Sequence, residues 1–271
     1  MKITSVSAIA LPAILTTAGL ADTITVCASG CDHSSLTQAI LAAQDGDVIE
    51  LAAETYTYLT QFETSGKAIT IRGTTDADGL PTSILDGQGT HRVFACRQGE
   101  TETTVLENLV FRNGRSLTSG GGLNLFLTSP TLINCTFLDN HATVDGGALV
   151  NTATPVLIGC RFIGNTADGN GDGIFNATND AIPTLIDCTF AECCQVDPIA
   201  SFVDGGGNDY EPFCIDCRGN VDCRNDAVDA EDLGYLLARW GSVDAQCDID
   251  GDGLVGAADL GLLFVDWGPC D

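Results

Sequence analysis

An eight-residue segment occurs three times in the chain. It runs Pro130-Thr131-Leu132-Ile133-Asn134-Cys135-Thr136-Phe137, then Pro155-Val156-Leu157-Ile158-Gly159-Cys160-Arg161-Phe162, then Pro183-Thr184-Leu185-Ile186-Asp187-Cys188-Thr189-Phe190. Glycine clusters at Gly121-Gly122, Gly146-Gly147 and Gly171-Asp172-Gly173 fall between the copies, and Leu106 to Phe111 is an earlier, weaker one. A repeat period in the range of about 20 to 50 residues, as here, marks units that bury their apolar faces by stacking on one another. Each unit alternates a short β-prone run with glycine and asparagine, and none contains a helical stretch, so one repeat reads as one turn of a β-solenoid.

Side chains alternate along a strand, so each cysteine shares a face with the phenylalanine two residues on. Stacked turns then bury a phenylalanine ladder beside a cysteine ladder, at about 25 cal/mol for each Å² of apolar surface removed from water. Turns stack about 4.8 Å apart, farther than the roughly 3.8 Å between β-carbons that a disulfide wants. Cys135, Cys160 and Cys188 are therefore expected as buried free thiols. That leaves ten of the 13 cysteines to form bridges. Asn113, Asn140 and Asn165 are expected to form a ladder at the turns, and Asp145, Asp168 and Asp172 to serve as turn residues rather than calcium ligands.

A solenoid end is an exposed sheet edge that needs a cover. Ser35-Leu36-Thr37-Gln38 reads as a capping box; Leu36, Ala39, Ile40 and Ala43 recur at helical spacing, and Gly46 stands where a helix would stop. Runs at Val48 to Leu51, Ala68 to Ile71, Ser83 to Leu85 and Val93 to Ala95 read as strands of earlier, less regular turns. The stretch from Asp47-Val48-Ile49-Glu50-Leu51 through Lys67-Ala68-Ile69-Thr70-Ile71-Arg72-Gly73 to Leu85-Asp86-Gly87 resembles the opening of right-handed parallel β-helix proteins of the pectate-lyase-like superfamily. The resemblance covers roughly residues 23 to 212 and implies their fold, not their activity.

Ahead of this region, Lys2, the apolar run Ala8 to Leu15 and the small residues Ala18-Gly19-Leu20-Ala21 read as a signal peptide, so residues 1–21 are expected to be removed and the protein secreted to the outside of the cell or its surface. No later segment is long and apolar enough to span a membrane. The formal charge of −26 argues against nucleic acid or anionic membranes as partners and favours cations.

Residues 213–271 have a different texture. Asp248-Ile249-Asp250-Gly251-Asp252-Gly253-Leu254-Val255-Gly256-Ala257-Ala258-Asp259 places carboxylates at loop positions 1, 3, 5 and 12 and glycine at 6. A hard cation needs six to eight oxygens, and this spacing wraps Asp248, Asp250, Asp252, the Leu254 carbonyl and Asp259 around one calcium ion. Leu260, Leu263, Phe264 and Trp267 follow with helical spacing, and Leu233, Leu236, Leu237 and Trp240 show the same spacing earlier in the chain. The earlier loop is one residue short and lacks the turn glycine, which leaves Asp222, Asp226, Asp229 and Asp232 as a weaker calcium set, with Arg224 where the intact loop has Asp250. The duplication and the aspartate at position 12 resemble a type I dockerin, an EF-hand-type module. The resemblance implies a cohesin-like or cell-surface partner, although Ala257-Ala258 and Ala230-Glu231 stand where such modules carry a recognition Ser-Thr pair. Cys214-x-x-Cys217 is compatible with a zinc knuckle, but in an exported chain disulfides are favoured.

The expected fold class is therefore mainly β: a right-handed parallel β-helix (22–212) with an N-terminal capping helix, followed by a small α-helical dockerin-like module (213–271). Two functions remain open. One is a non-enzymatic scaffold that contacts carbohydrate. The other is a polysaccharide lyase or glycoside hydrolase, for which the evenly spaced Arg72, Arg92 and Arg112 are the catalytic candidates, flanked by His91, Arg97 and Arg115. Solvent-facing scatter of these arginines is the competing account. His33, His91 and His141, the only histidines, lie in no nucleophile or zinc motif.

Overall fold

The computed structural model describes residues 21–191, 202–210, 221, 227–228, 230–242, 247, 249–250 and 252–269. Residues 1–20 of the expected signal peptide (1–21) lie outside them, as do Asp222, Arg224, Asp226, Asp229, Asp248, Cys214 and Cys217.

Among the described residues the first sheet has eight strands, from Thr23–Val26 and Val48–Leu51 through Thr70–Arg72, Val105–Glu107, Thr131–Ile133, Val156–Ile158 and Thr184–Ile186 to Val203–Asp204. The second has seven: Thr55–Thr57, Ser83–Asp86, Leu109–Arg112, Thr136–Leu138, Arg161–Ile163, Thr189–Ala191 and Asp209–Tyr210. The third has five, Phe62–Glu63, Phe94–Cys96, Leu123–Leu125, Leu149–Asn151 and Ile174–Asn176, and a narrow fourth has three, Arg115–Ser116, His141–Ala142 and Thr166–Ala167. Strand order within each of these sheets follows chain order and every pairing in them is parallel, so the chain is a parallel β-solenoid of about six turns.

The register stacks like on like. Phe111, Phe137, Phe162 and Phe190 are paired partners in the second sheet, with ring centroids 4.9, 5.0 and 4.6 Å apart and planes within 10° of parallel. Phe94 meets Phe111 edge-on at 6.0 Å, closing the ladder towards the N-terminal turns. Beside the rings, Cys135, Cys160 and Cys188 are fully buried free thiols, as the stacking distance requires. Their sulfurs approach the carbonyls of Leu106, Leu132 and Leu157 in the preceding turns. Cys96 is a further buried free thiol, on strand Phe94–Cys96 of the third sheet, so the ten remaining cysteines do not all form bridges. Cys27 and Cys31 are joined, with Cα atoms 5.5 Å apart.

The asparagine ladder forms, but with different members. Asn165 Oδ1 accepts from the backbone and side-chain nitrogens of Asn140, and Asn140 Oδ1 accepts from Gly114 N. Asn113 is one position out, because Arg112 pairs with Leu138, which sets Asn113 beside Asp139 and Gly114 beside Asn140. The glycine clusters shift similarly. Leu123 pairs with Leu149, which puts Gly121 beside Gly147 rather than beside Gly146. A β-carbon on Gly121 would lie 2.4 Å from the His141 carbonyl oxygen and 2.5 Å from that of Gly147, so the turn closes only around glycine. Asp145 and Asp172 accept backbone N–H groups of Asn170 and Ala167, as turn residues do.

Helix α1 (Leu36–Ala42) packs Leu36, Ala39 and Ile40 into the same core as the strands. Seven residues are too few to be helical on propensity alone, so burial holds it. The expected capping box is absent: Ser35 has N-cap backbone geometry, but its side chain makes no cap hydrogen bond. The helix ends before Gly46, where the Lys67 ammonium donates to the carbonyls of Ile40, Leu41 and Ala43 and satisfies acceptors that would otherwise lack a partner.

Candidate functional site

The C-terminal helices α2 (Ala230–Ala238) and α3 (Ala257–Val265) are equal in length and occupy matching places in the two copies of the duplicated sequence. They share a small core in which Val228 matches Val255 and Leu236 matches Leu263, with all four buried. Ala227–Val228 pairs antiparallel with Gly268–Pro269, and Val255 exchanges backbone hydrogen bonds with Gly241 and Ser242. The unit is thus closed on itself by backbone as well as by apolar contacts.

Asp232 and Asp259 occupy equivalent places in the first turn of the two helices, and both are buried. Asp259 Oδ2 accepts from Gly256 N at 2.6 Å and its Oδ1 from Asp250 N at 3.1 Å, so one carboxylate ties the helix start to the loop. Only this half of a capping box exists, since Gly256 has no side chain to reciprocate. Asp250 accepts from Asp252 N at 3.0 Å and Asp252 from Leu254 N at 2.9 Å, and Gly253 takes a φ of +94° at the turn. Asp250, Asp252 and Leu254 are exposed. Among the described residues no three His, Cys, Asp or Glu side chains form a metal-holding group; Asp248, the first position of the loop, is outside them. The donor set nevertheless fits a hard cation. Each Asp259 oxygen accepts an N–H and has acceptor capacity beyond it, and the glycine bends the loop as such a site needs.

The three catalytic-candidate arginines are not brought together. Arg72 lies on the first sheet between Glu50 and Glu107, with its Nε 2.7 Å from Glu107 and an Nη 3.9 Å from Glu50. Arg112 lies on the second sheet, 2.9 Å from Asp86. Arg92 precedes the third sheet and donates to the carbonyls of Gly120 and Ser119 and to Gln61 Oε1. Burial, helped by Arg97, lowers its pKa to about 10. The spacing of the three arginines falls short of a full turn, so each step carries the side chain from one face to the next. Arg97 pairs with Glu63, and the His91 ring bonds the Arg92 carbonyl.

The structure assembles instead a groove of about 480 Å³ along the edge between the second and fourth sheets, lined by Asp86, Gln88, Asn113, Arg115, Asp139 and His141. Arg115 and His141 are paired partners on adjacent strands. His141 Nδ1 is 3.1 Å from Thr166 Oγ1, and its Nε2 is 3.9 Å from Asp168. Burial by itself would raise the Asp86 pKa, but hydrogen bonds from Gln88 N–H, Arg112 and Asn113 outweigh it and hold the group ionised below its ordinary value. The groove therefore offers fixed anionic and cationic groups to a polar ligand. The available sequence signal was the pairing of Arg115 with His141 one turn on, which the even spacing of the other arginines obscured.

These features define a class: a parallel β-solenoid with a duplicated helical unit at its C-terminal end. No protein-family model matches the chain, and no curated protein matches it. Two structures of a pectin methylesterase from Aspergillus niger are similar to it, both at 13% identity. The penultimately deglycosylated form covers 69% of this chain and 84% of its own, with a TM-score of 0.39; the deglycosylated form covers 70% and 84%, with a TM-score of 0.40.

Proposed function

We propose that the protein is a secreted scaffold in which a right-handed β-helix is attached, through a calcium-dependent dockerin-like module, to a cohesin-like or other cell-surface protein. The observation that carries this reading is the buried Asp259, which joins the start of α3 to a loop whose sequence supplies a calcium ligand set. Calcium would be held by Asp248, Asp250, Asp252, the Leu254 carbonyl and Asp259, and would cross-link loop to helix. Further support comes from repeated apolar exposure: Leu237 with Trp240 and Phe264 with Trp267 are exposed at equivalent positions of the two helical copies, as a docking face would be. The Cys27–Cys31 bridge and the signal-like leader both suit an oxidising compartment.

Calorimetric titration of the full chain with calcium is expected to give one tight site, lost in Asp248→Ala, and chelator is expected to lower the melting temperature. Two equal sites would contradict the defective first loop. No heat, together with unchanged melting in chelator, would remove the calcium reading altogether.

The groove around Asp86, Asp139 and His141 favours a second reading, a polysaccharide lyase or glycoside hydrolase. Incubation with pectin, alginate and neutral glycans separates the two. The scaffold yields no unsaturated or reducing-end products, whereas turnover abolished by His141→Ala selects the enzyme.

A further inference from the structure

At the N-terminal end a second pocket of about 480 Å³ lies where α1 meets the segment leading into strand Phe62–Glu63. Its volume is within the ~300 to 1,000 Å³ range of small-molecule sites. Thr37, Tyr58, Gln61, Phe62, Glu63 and His91 are among its walls. Nothing in the calcium reading involves them.

Two features of these walls point to the ligand. The Tyr58 ring stacks on Phe62 at 5.8 Å and 26°, and Phe62, itself buried, rests on Phe94 at 6.4 Å. Tyr58 stays 39% exposed, so it is an aromatic platform fixed from behind and open in front. Gln61 and Glu63 are also held in place: Gln61 donates to Glu63 at 2.6 Å, Arg92 donates to Gln61 at 3.0 Å, and Arg97 pairs with Glu63. Arg97 thereby offsets the carboxylate, and Glu63 is the only carboxylate among the lining side chains.

The polar demand of the pocket is specific. Thr37 Oγ1 and His91 Nε2 are the two side-chain polar atoms among the described residues that are buried without a hydrogen-bond partner, and both residues line this pocket. His91 Nδ1 lies 2.9 Å from the Arg92 carbonyl oxygen, which can only accept, so Nδ1 carries the proton and Nε2 of the neutral ring is an acceptor. A buried acceptor and a buried hydroxyl beside an aromatic face call for a ligand bearing hydroxyl groups on one side and C–H groups on the other. We propose that this pocket binds an uncharged pyranose unit, its C–H face on Tyr58 and its hydroxyls donating to His91 Nε2 and bonding Thr37 and Gln61.

The test titrates the full chain with methyl glycosides of glucose, galactose, mannose and xylose, with methyl galacturonide as the charged control, while the imidazole ¹⁵N resonances are followed by NMR. At least one neutral glycoside is expected to shift His91 Nε2 saturably, and Tyr58→Ala to weaken that binding by about tenfold or more with melting unchanged. Thr37→Val, which preserves shape, is expected to weaken it several-fold. Absence of a saturable shift by about 10 mM for every neutral glycoside, equal binding of the galacturonide, or an unaltered Kd in Tyr58→Ala would overturn the proposal; a shift produced by water exchange alone counts with the first of these. Calcium binding is read in a separate titration, so failure here leaves the module's reading intact.

Discussion

Asn165 Oδ1 accepts two hydrogen bonds from Asn140, one from its backbone nitrogen at 3.1 Å and one from its side-chain amide at 2.9 Å, linking one turn of the solenoid to the next. Asn165 in turn donates to the Phe137 carbonyl, and both asparagines are buried. Asn165→Ala removes the acceptor while leaving Asn140's donors out of water, at about 2 to 3 kcal/mol. Asn113→Gly, which loses two 3.3 Å contacts to Asp86 and tolerates the local φ of +50°, is expected to cost less than about 1 kcal/mol. Urea unfolding of the two variants compares them directly, and equal losses would mean that the ladder does not carry the turn.

Phe162 has a ring on either side, 5.0 Å from Phe137 and 4.6 Å from Phe190. Phe162→Ala opens a gap in the middle of the ladder and is expected to destabilise by about 3 to 5 kcal/mol, with Phe162→Leu losing distinctly less. Denaturant midpoints measured at constant m-value check the ranking. Similar losses for both would mean that the ring stacking, which Leu cannot replace, and not apolar bulk sets the cost.

Burial pushes the thiols of Cys96, Cys160 and Cys188 above the ordinary cysteine range, with neighbouring sulfurs adding to the effect at Cys160 and providing the first cause at Cys188. The thiolate is the reactive form, so the native protein is expected to resist alkylation at these positions at about pH 8 and to take label there only after denaturation. Peptide mapping of iodoacetamide adducts reads this out. Rapid native labelling of Cys160 would show that the core opens far more readily than its packing implies.

Asp47 accepts the N–H groups of Gln44 and Asp22, and these bonds hold its pKa below the ordinary value. Asp86 is depressed too, against the opposing effect of its burial. A carboxylate depressed by folding contributes fully above its unfolded pKa of about 4 and loses that contribution as pH falls through the lower folded value. Stability is thus expected to drop on acidification below about pH 4, with Asp47→Asn less stable than the parent near neutrality and converging with it in acid. Melting temperatures recorded from neutral pH downwards test the sign; a variant curve that stays parallel to the parent throughout would refute the assignment.

The part of the fold visible in the sequence was the part built from identical neighbours. Phe137, Phe162 and Phe190 recur with their flanking residues, so their stacking and the buried state of the accompanying cysteines followed from spacing alone. Register between unlike turns was not visible. The register steps 26 residues from Arg112 to Leu138 while Asn113 and Asn140 lie 27 apart, so Gly114 takes the place beside Asn140, a change that alignment on asparagine cannot detect. The arginines misled for a related reason, because Arg72, Arg92 and Arg112 are equally spaced in sequence but lie on different faces of the solenoid. Helix α1 was legible from its apolar spacing, yet its end is set by Lys67, which belongs to the next turn of the chain. The pocket beside Tyr58 depends on contacts between α1, the Phe62–Glu63 strand and His91, and no local pattern in any of the three announces it.

From Phe111 to Phe190 the rings lie almost flat upon one another, so each turn presents to the next nearly the surface that it receives from the one before. Consecutive turns are consequently close to interchangeable, and duplication or loss of a whole turn would require no new complementary surface. Rod length can then drift in evolution while both ends stay unaltered, and the distance between the N-terminal pocket and the C-terminal helical unit becomes a quantity that selection can adjust in steps.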